Sequence, residues 1–143
     1  MAEVKFSASS MRAPVIGDVI GSRQAADRRE LHRRVEAALA GTGLAFTVGD
    51  EFQGSFTTVG QALAATRRLR LSLLPAVDVR IGLGWGAVTT LDDETRDGPG
   101  WWAAREAIEW VKTAETKGVT ARVRTAYRRD GSSGPDPRAV NAA

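Results

Sequence analysis

The chain has no cysteine and one histidine, His32. Without thiols it can form neither a disulfide nor a thiolate zinc site, which suits a reducing compartment. His32 lies in an arginine-rich stretch with helical patterning and reads as a solvated side chain rather than a catalytic one. No apolar run approaches the roughly 18 residues of a membrane-spanning helix. Met1 to Arg12 lacks the apolar centre of a secretory signal. The resulting expectation is a cytoplasmic protein with no membrane partner.

At 143 residues, 43% hydrophobic and 26% charged, the chain has room for one globular domain with a real core. Its formal charge is +3. Arginines cluster at Arg28-Arg29, Arg33-Arg34, Arg67-Arg68-Arg70, Arg122-Arg124 and Arg128-Arg129, largely on predicted helix faces, and read as solvated surface. The aromatic signature of an RNA-binding central strand is missing. Nucleic acid is therefore a minor alternative as partner.

Periodicity orders the elements. Ala13 to Ser22 is a β-branched apolar run, the first strand. Leu31, Val35 and Leu39 recur at helical spacing within Asp27 to Ala40, before Gly41. Leu44 to Val48 and Phe52 to Val59 form a hairpin around Gly49-Asp50-Glu51. A second helix runs from Val59 towards Pro75, and Val77 to Leu83 alternates as a strand. That strand ends in Gly82-Leu83-Gly84-Trp85-Gly86, where something is expected to come close. After an acidic loop, Leu91 to Asp97, a third helix runs from Gly98-Pro99 to about Lys117, and a last strand spans Val119 to Tyr127. The order βαββαβαβ predicts an α+β fold, ferredoxin-like, with helices on one face of a mainly antiparallel sheet. Residues 1–12 and 129–143 are expected to be flexible ends of a domain spanning 13–128.

Two acids stand out. Asp18 closes the first strand between Gly17 and Gly21, and Asp50 sits at the hairpin tip. If those strands neighbour one another, the carboxylates converge. Two like charges ~4 Å apart repel by roughly 4 kcal/mol at an effective dielectric of about 20, so the pair needs a proton or a cation. Oxygen ligands without histidine or cysteine favour Mg²⁺ or Mn²⁺. Gly17, Gly21, Gly49 and Gly54 would let a phosphate approach the backbone, and Ser22 and Arg23 follow directly in the same turn. The structural alternative is an ordinary Asp-Gly turn.

Val15-Ile16-Gly17-Asp18-Val19-Ile20-Gly21-Ser22-Arg23, Gly49-Asp50-Glu51-Phe52-Gln53-Gly54, Arg80-Ile81-Gly82-Leu83-Gly84, and Asp97-Gly98-Pro99 leading into Ala104-Arg105-Glu106-Ala107 together resemble the SatD family. More remotely they resemble the catalytic domain of class III nucleotide cyclases. That resemblance implies a cyclase-like fold, Asp18 and Asp50 as metal ligands, Arg105 as a charge-stabilising arginine, a nucleotide or phosphate ligand, and a homodimer. Two-metal phosphoryl transfer is the chemistry it suggests. Glu51, next to Asp50, reads as a metal ligand, a base or a solvated turn residue. Trp101 stands where the cyclases keep an asparagine, and Phe46 where adenylyl cyclases keep a base-reading lysine. Both changes remove polar groups that handle ribose and base, so the resemblance implies metal and phosphate binding more directly than cyclisation, as in a degenerate cyclase. The alternative is a non-catalytic regulatory or protein-interaction module.

Overall fold

The computed structural model describes residues 9–90 and 96–142. In chain order the elements are β1 (Ser9–Val19), α1 (Arg28–Leu39), β2 (Ala45–Phe46), β3 (Glu51–Phe56), α2 (Val59–Leu73), β4 (Val79–Thr90), β5 (Arg96–Asp97), α3 (Pro99–Ala114), β6 (Thr125–Arg129) and α4 (Pro137–Ala142). Side-chain caps set two helix starts: Asp27 accepts from the Glu30 N–H before α1, and Thr58 from the Gln61 N–H before α2. α3 begins on Pro99, whose missing N–H costs nothing in a first turn.

The sheet runs β2-β3-β1-β4, antiparallel throughout, and continues through two further partners of β4. β6 lies parallel to β4 along Ile81 to Trp85, while β5 pairs antiparallel with its far end. The fold is therefore α+β, with the expected order plus the short β5 and the terminal α4.

Helices cover both faces, not one. Val15, Val19, Val79, Ile81 and Leu83 point one way and join Val35, Leu39, Ala62 and Leu69 of α1 and α2 in the larger core cluster. Ile16 points the other way, to Trp101, Ala104 and Ile108 of α3. The cause is the glycine row: a Cβ on Gly82 or Gly84 would run into the backbone of Ala104, Ile108 or Gly100. What approaches this strand is a helix of the same chain. Loss of those side chains lets α3 sit directly on β4.

Several boundaries shift. Residues 1–8 lie outside the described residues, but Ser9 to Arg12, expected to be a loose end, are part of β1 and pair with Gly86 to Thr89 of β4. The acidic loop lies largely outside the described residues, and Arg96–Asp97 form β5. α3 ends at Ala114 and the last strand starts only at Thr125, because Gly118–Thr120 form a tight turn closed by the Thr120 hydroxyl on the Ala114 carbonyl at 2.9 Å. The C-terminal run is tied down rather than loose. The Asn141 amide accepts from the Tyr127 N–H at 2.8 Å and donates to its carbonyl at 3.1 Å, so one side chain imitates a neighbouring strand at the outer edge of β6. The Tyr127 hydroxyl donates to the Pro135 carbonyl at 3.1 Å.

Candidate functional site

β1 and β3 pair with Asp18 directly opposite Glu51, and β1 and β4 with Asp18 opposite Arg80. Asp18, Glu51 and Arg80 therefore project from the α3 side of the sheet, like Ile16. Asp50 is one residue earlier, in the hairpin tip. Both aspartates line one cleft of about 650 Å³, together with Gly21, Ser22, Arg23, Glu51, Arg80, Lys112 and Glu115.

The two aspartates have different partners. Asp18, whose side chain is 13% exposed, accepts from Arg80 Nη1 at 3.0 Å through Oδ1 and faces Lys112 Nζ at 3.4 Å through Oδ2. Asp50 accepts from the Ser22 hydroxyl at 2.5 Å. Arg80 is itself clamped from behind by Glu115, with Nε to Oε1 at 2.7 Å and Nη2 to Oε2 at 3.0 Å. Glu115, ahead of Asp18, raises the Arg80 pKa above its ordinary value, against the opposing effect of burial. The chain of charges continues through Arg124 to Asp78, which also accepts from Arg70.

Glu51 and Arg105 are joined by two hydrogen bonds, 2.7 and 3.1 Å, and Gln53 donates to Glu51 at 3.0 Å. The Arg105 hydrogen bonds hold the Glu51 carboxyl below the usual carboxylate range, and Glu51 in turn raises Arg105. Glu51 borders the cleft and Arg105 does not.

Among the remaining sequence candidates, Gly21 takes a left-handed conformation, φ 72°, that turns the chain from β1 into the Ser22–Gln24 turn. Gly49 also has positive φ, 60°, at the open hairpin tip. Gly17 has a packing role instead: the Phe52 ring crosses it and occupies the space a Cβ would need, and Gly17 does not line the cleft. Gly54 is likewise filled, by Gly43 and Leu44. Trp101 is a core residue at 5% exposure whose indole N–H finds no acceptor among the described residues, and the Arg96 guanidinium lies 5.6 Å from its ring. Trp102 and Trp110 are exposed on the outer side of α3.

The sequence reading omits Lys112 and Glu115 and gives Arg80 no role. A signal for them exists: the buried stripe of α3, Ala104 and Ile108, continues at helical spacing into Lys112 and Glu115, and Arg80 begins the row that Gly82, Gly84 and Gly86 complete. A stripe that changes from apolar to charged at a helix end marks where the core opens to solvent.

A hard divalent cation requires oxygen donors, and Asp18, Asp50 and the Ser22 hydroxyl supply them without histidine or cysteine in the lining. Arg80 is anchored, whereas Lys112 reaches Asp18 from a flexible stem that is 38% exposed. The donor types suit such a cation, which would have to displace the Lys112 ammonium from Asp18. Among the described residues no three His, Cys, Asp or Glu side chains converge as a metal site, and no helix is long and apolar enough to cross a membrane.

Comparison with solved structures agrees on the fold. A bacterial light-regulated adenylyl cyclase superposes with a TM-score of 0.63 at 13% identity over 87% of this chain, which spans 44% of that protein. The adenylate/guanylate cyclase/hydrolase from Silicibacter pomeroyi gives 0.52 at 24% identity, covering 69% of each chain. The monomeric guanylyl cyclase domain of the RhoGC fusion protein from the aquatic fungus Blastocladiella emersonii gives 0.57 at 14% identity, covering 72% of this chain and 77% of that one. At such identities the likeness is one of fold. No curated protein matches the chain in sequence. The SatD family description matches residues 13–131. On a fold shared with nucleotide cyclase domains, this chain belongs to the SatD family.

Proposed function

We propose that the cleft between β1, the hairpin tip and the end of α3 binds one divalent cation together with the phosphates of a nucleotide, and that the protein senses or carries this ligand rather than cyclising it. The observation that supports this reading is that Asp18 and Asp50 line one polar cleft with Arg23, Arg80 and Lys112. Asp18, Asp50 and the Ser22 hydroxyl would hold the cation, Mg²⁺ or Mn²⁺. The cation would neutralise phosphate charge. Lys112, released from Asp18, would face the phosphates beside Arg23, at the turn opened by Gly21.

Two observations favour binding over turnover. Arg105, which cyclase resemblance assigns to charge stabilisation, and Glu51, the candidate base beside it, neutralise one another. Trp101, at the position of the cyclase asparagine, is packed into the core with its indole N–H buried, and it does not line the cleft. A homodimer and a cytoplasmic location remain part of the proposal, and light scattering at high protein concentration tests the first.

The binding test is a thermal shift with a nonhydrolysable nucleoside triphosphate, with and without Mn²⁺. A ligand at a hundredfold excess over its Kd stabilises the native state by about 2.7 kcal/mol. Stabilisation should require the metal and disappear in Asp50→Asn. Lys112→Met should bind Mn²⁺ alone more tightly, having lost a competing cation, and the triphosphate more weakly. Equal stabilisation of wild type and Asp50→Asn overturns the proposal.

A further inference from the structure

A second groove adjoins the polar cleft and differs from it in chemistry. The two share Val19, Ser22 and Asp50 as a common wall. Beyond that wall the lining turns apolar and aromatic, with Leu31, His32 and Phe46, and encloses about 640 Å³. Small-molecule sites typically span roughly 300–1,000 Å³. Arg28, Arg29, Arg33 and Glu36 also line it, with Glu36 3.8 Å from the His32 ring.

The floor of this groove is a prepared aromatic platform. Phe46 pairs with Phe52 in the β2–β3 register and meets its ring edge-on, with centroids 6.4 Å apart at 81°. Phe52 is fully buried, so Phe46 is held from below. His32 lies flat on Phe46, at 4.2 Å between centroids and 15° between planes, and its side chain remains 49% exposed. One face of the imidazole is covered by Phe46, and the ring, half exposed, is part of the groove lining.

We infer that this groove receives the base of the same nucleotide, stacked on the face of His32 opposite Phe46, while the phosphates reach across the Ser22–Asp50 wall into the polar cleft. The inference rests on the reading of that cleft as a cation and phosphate site. A nucleotide is the ligand class whose two ends match the two halves: a planar heteroaromatic ring for the stack, and oxyanions for the cation and lysine. The position of Phe46 thereby gains a role. A base here is recognised by its flat surface, with no lysine to read its edge, so selectivity among bases should be low.

The test measures binding of three probes to the full chain by calorimetry in Mn²⁺: nonhydrolysable ATP and GTP analogues, and inorganic tripolyphosphate. His32→Ala should weaken both nucleotides about tenfold, the scale of one lost base–aromatic stack, and leave tripolyphosphate unchanged. His32→Phe should restore nucleotide affinity, because stacking needs only the ring. His32 lies on the exposed side of α1, so the substitution leaves the core intact. Undiminished nucleotide binding by His32→Ala, with tripolyphosphate still bound, overturns the base site while leaving the polar cleft standing. A change in self-association without a change in nucleotide affinity assigns the groove to a second copy of the chain and also overturns it. Failure of all three probes to bind wild type overturns both readings.

Discussion

The two faces of the sheet are filled by opposite means. Towards α1 and α2, β4 projects Val79, Ile81 and Leu83, and side chains interlock with side chains. Towards α3 it projects Arg80 and then Gly82, Gly84 and Gly86, and the space is taken by helix backbone. Side chains can repack around a change of volume, but backbone held in a helix and a strand cannot yield locally. The glycine face therefore fixes the height of α3 over the sheet. The polar site begins where that row ends, at Arg80, which is why Lys112 and Glu115 of the helix end reach Asp18 and Arg80 of the strands.

The largest effect should come from filling the glycine face. Gly84→Val places atoms against Gly100 and against the Ala104 backbone nitrogen, 2.6 Å from an added Cβ, and should cost about 3 kcal/mol or more, enough to threaten folding. On the opposite face, emptying is what hurts: Leu83→Ala, at a fully buried position, should cost about 2–5 kcal/mol. Urea denaturation midpoints of the two variants measure the contrast. An unchanged midpoint for Gly84→Val would erase it.

Next in size is the charged end of the α3 face. Arg80→Met leaves Asp18 and Glu115, at 13% and 21% side-chain exposure, with Lys112 and Arg124 as their remaining cations. Breaking a well-buried pair costs about 3–5 kcal/mol, and partial exposure here reduces the expected loss to about 2 kcal/mol. Adding Glu115→Gln to Arg80→Met should restore part of that loss, since the second change removes the stranded charge. Strict additivity of the two substitutions in urea denaturation would mean that they form no coupled unit.

The sequence makes some of this legible and hides the rest for physical reasons. α1 and α2 can be read because apolar periodicity coincides with capping side chains at Asp27 and Thr58. The glycine row of β4 tells that something comes close, but glycine has no chemistry to say whether that is a ligand or a helix. Asp18 and Asp50 show themselves through glycine-flanked strand ends, and the sheet does bring both to one cleft. The counter-charges of Asp18 are harder to read, because Arg80 meets it only through the β1–β4 register and Lys112 only once α3 crosses that pair. Gly17 misleads for a related reason: its bare face serves the Phe52 ring directly across the β1–β3 ladder. In the C-terminal run, glycine and proline suggest a loose end, whereas one amide, Asn141, matches the free N–H and C=O of Tyr127.

The smallest expected effect lies within the α3 face itself, where Arg105 is 44% exposed against 20% for Arg80. Glu51 has a folded pKa lowered by Arg105. A carboxyl whose folded value is depressed contributes stability that is complete above its unfolded value of about 4.3 and fades as pH falls through the lowered folded value. Exposure of the guanidinium limits that contribution to about 0.5 kcal/mol. Wild type should therefore exceed Arg105→Met by about that amount in urea denaturation at neutral pH, and the two curves should converge in acid, below the ordinary carboxylate range. High salt should shrink the gap, because the pair is open to solvent. A gap that persists unchanged in acid would show that Arg105 acts through packing of its stem on α3 and not through its charge on Glu51.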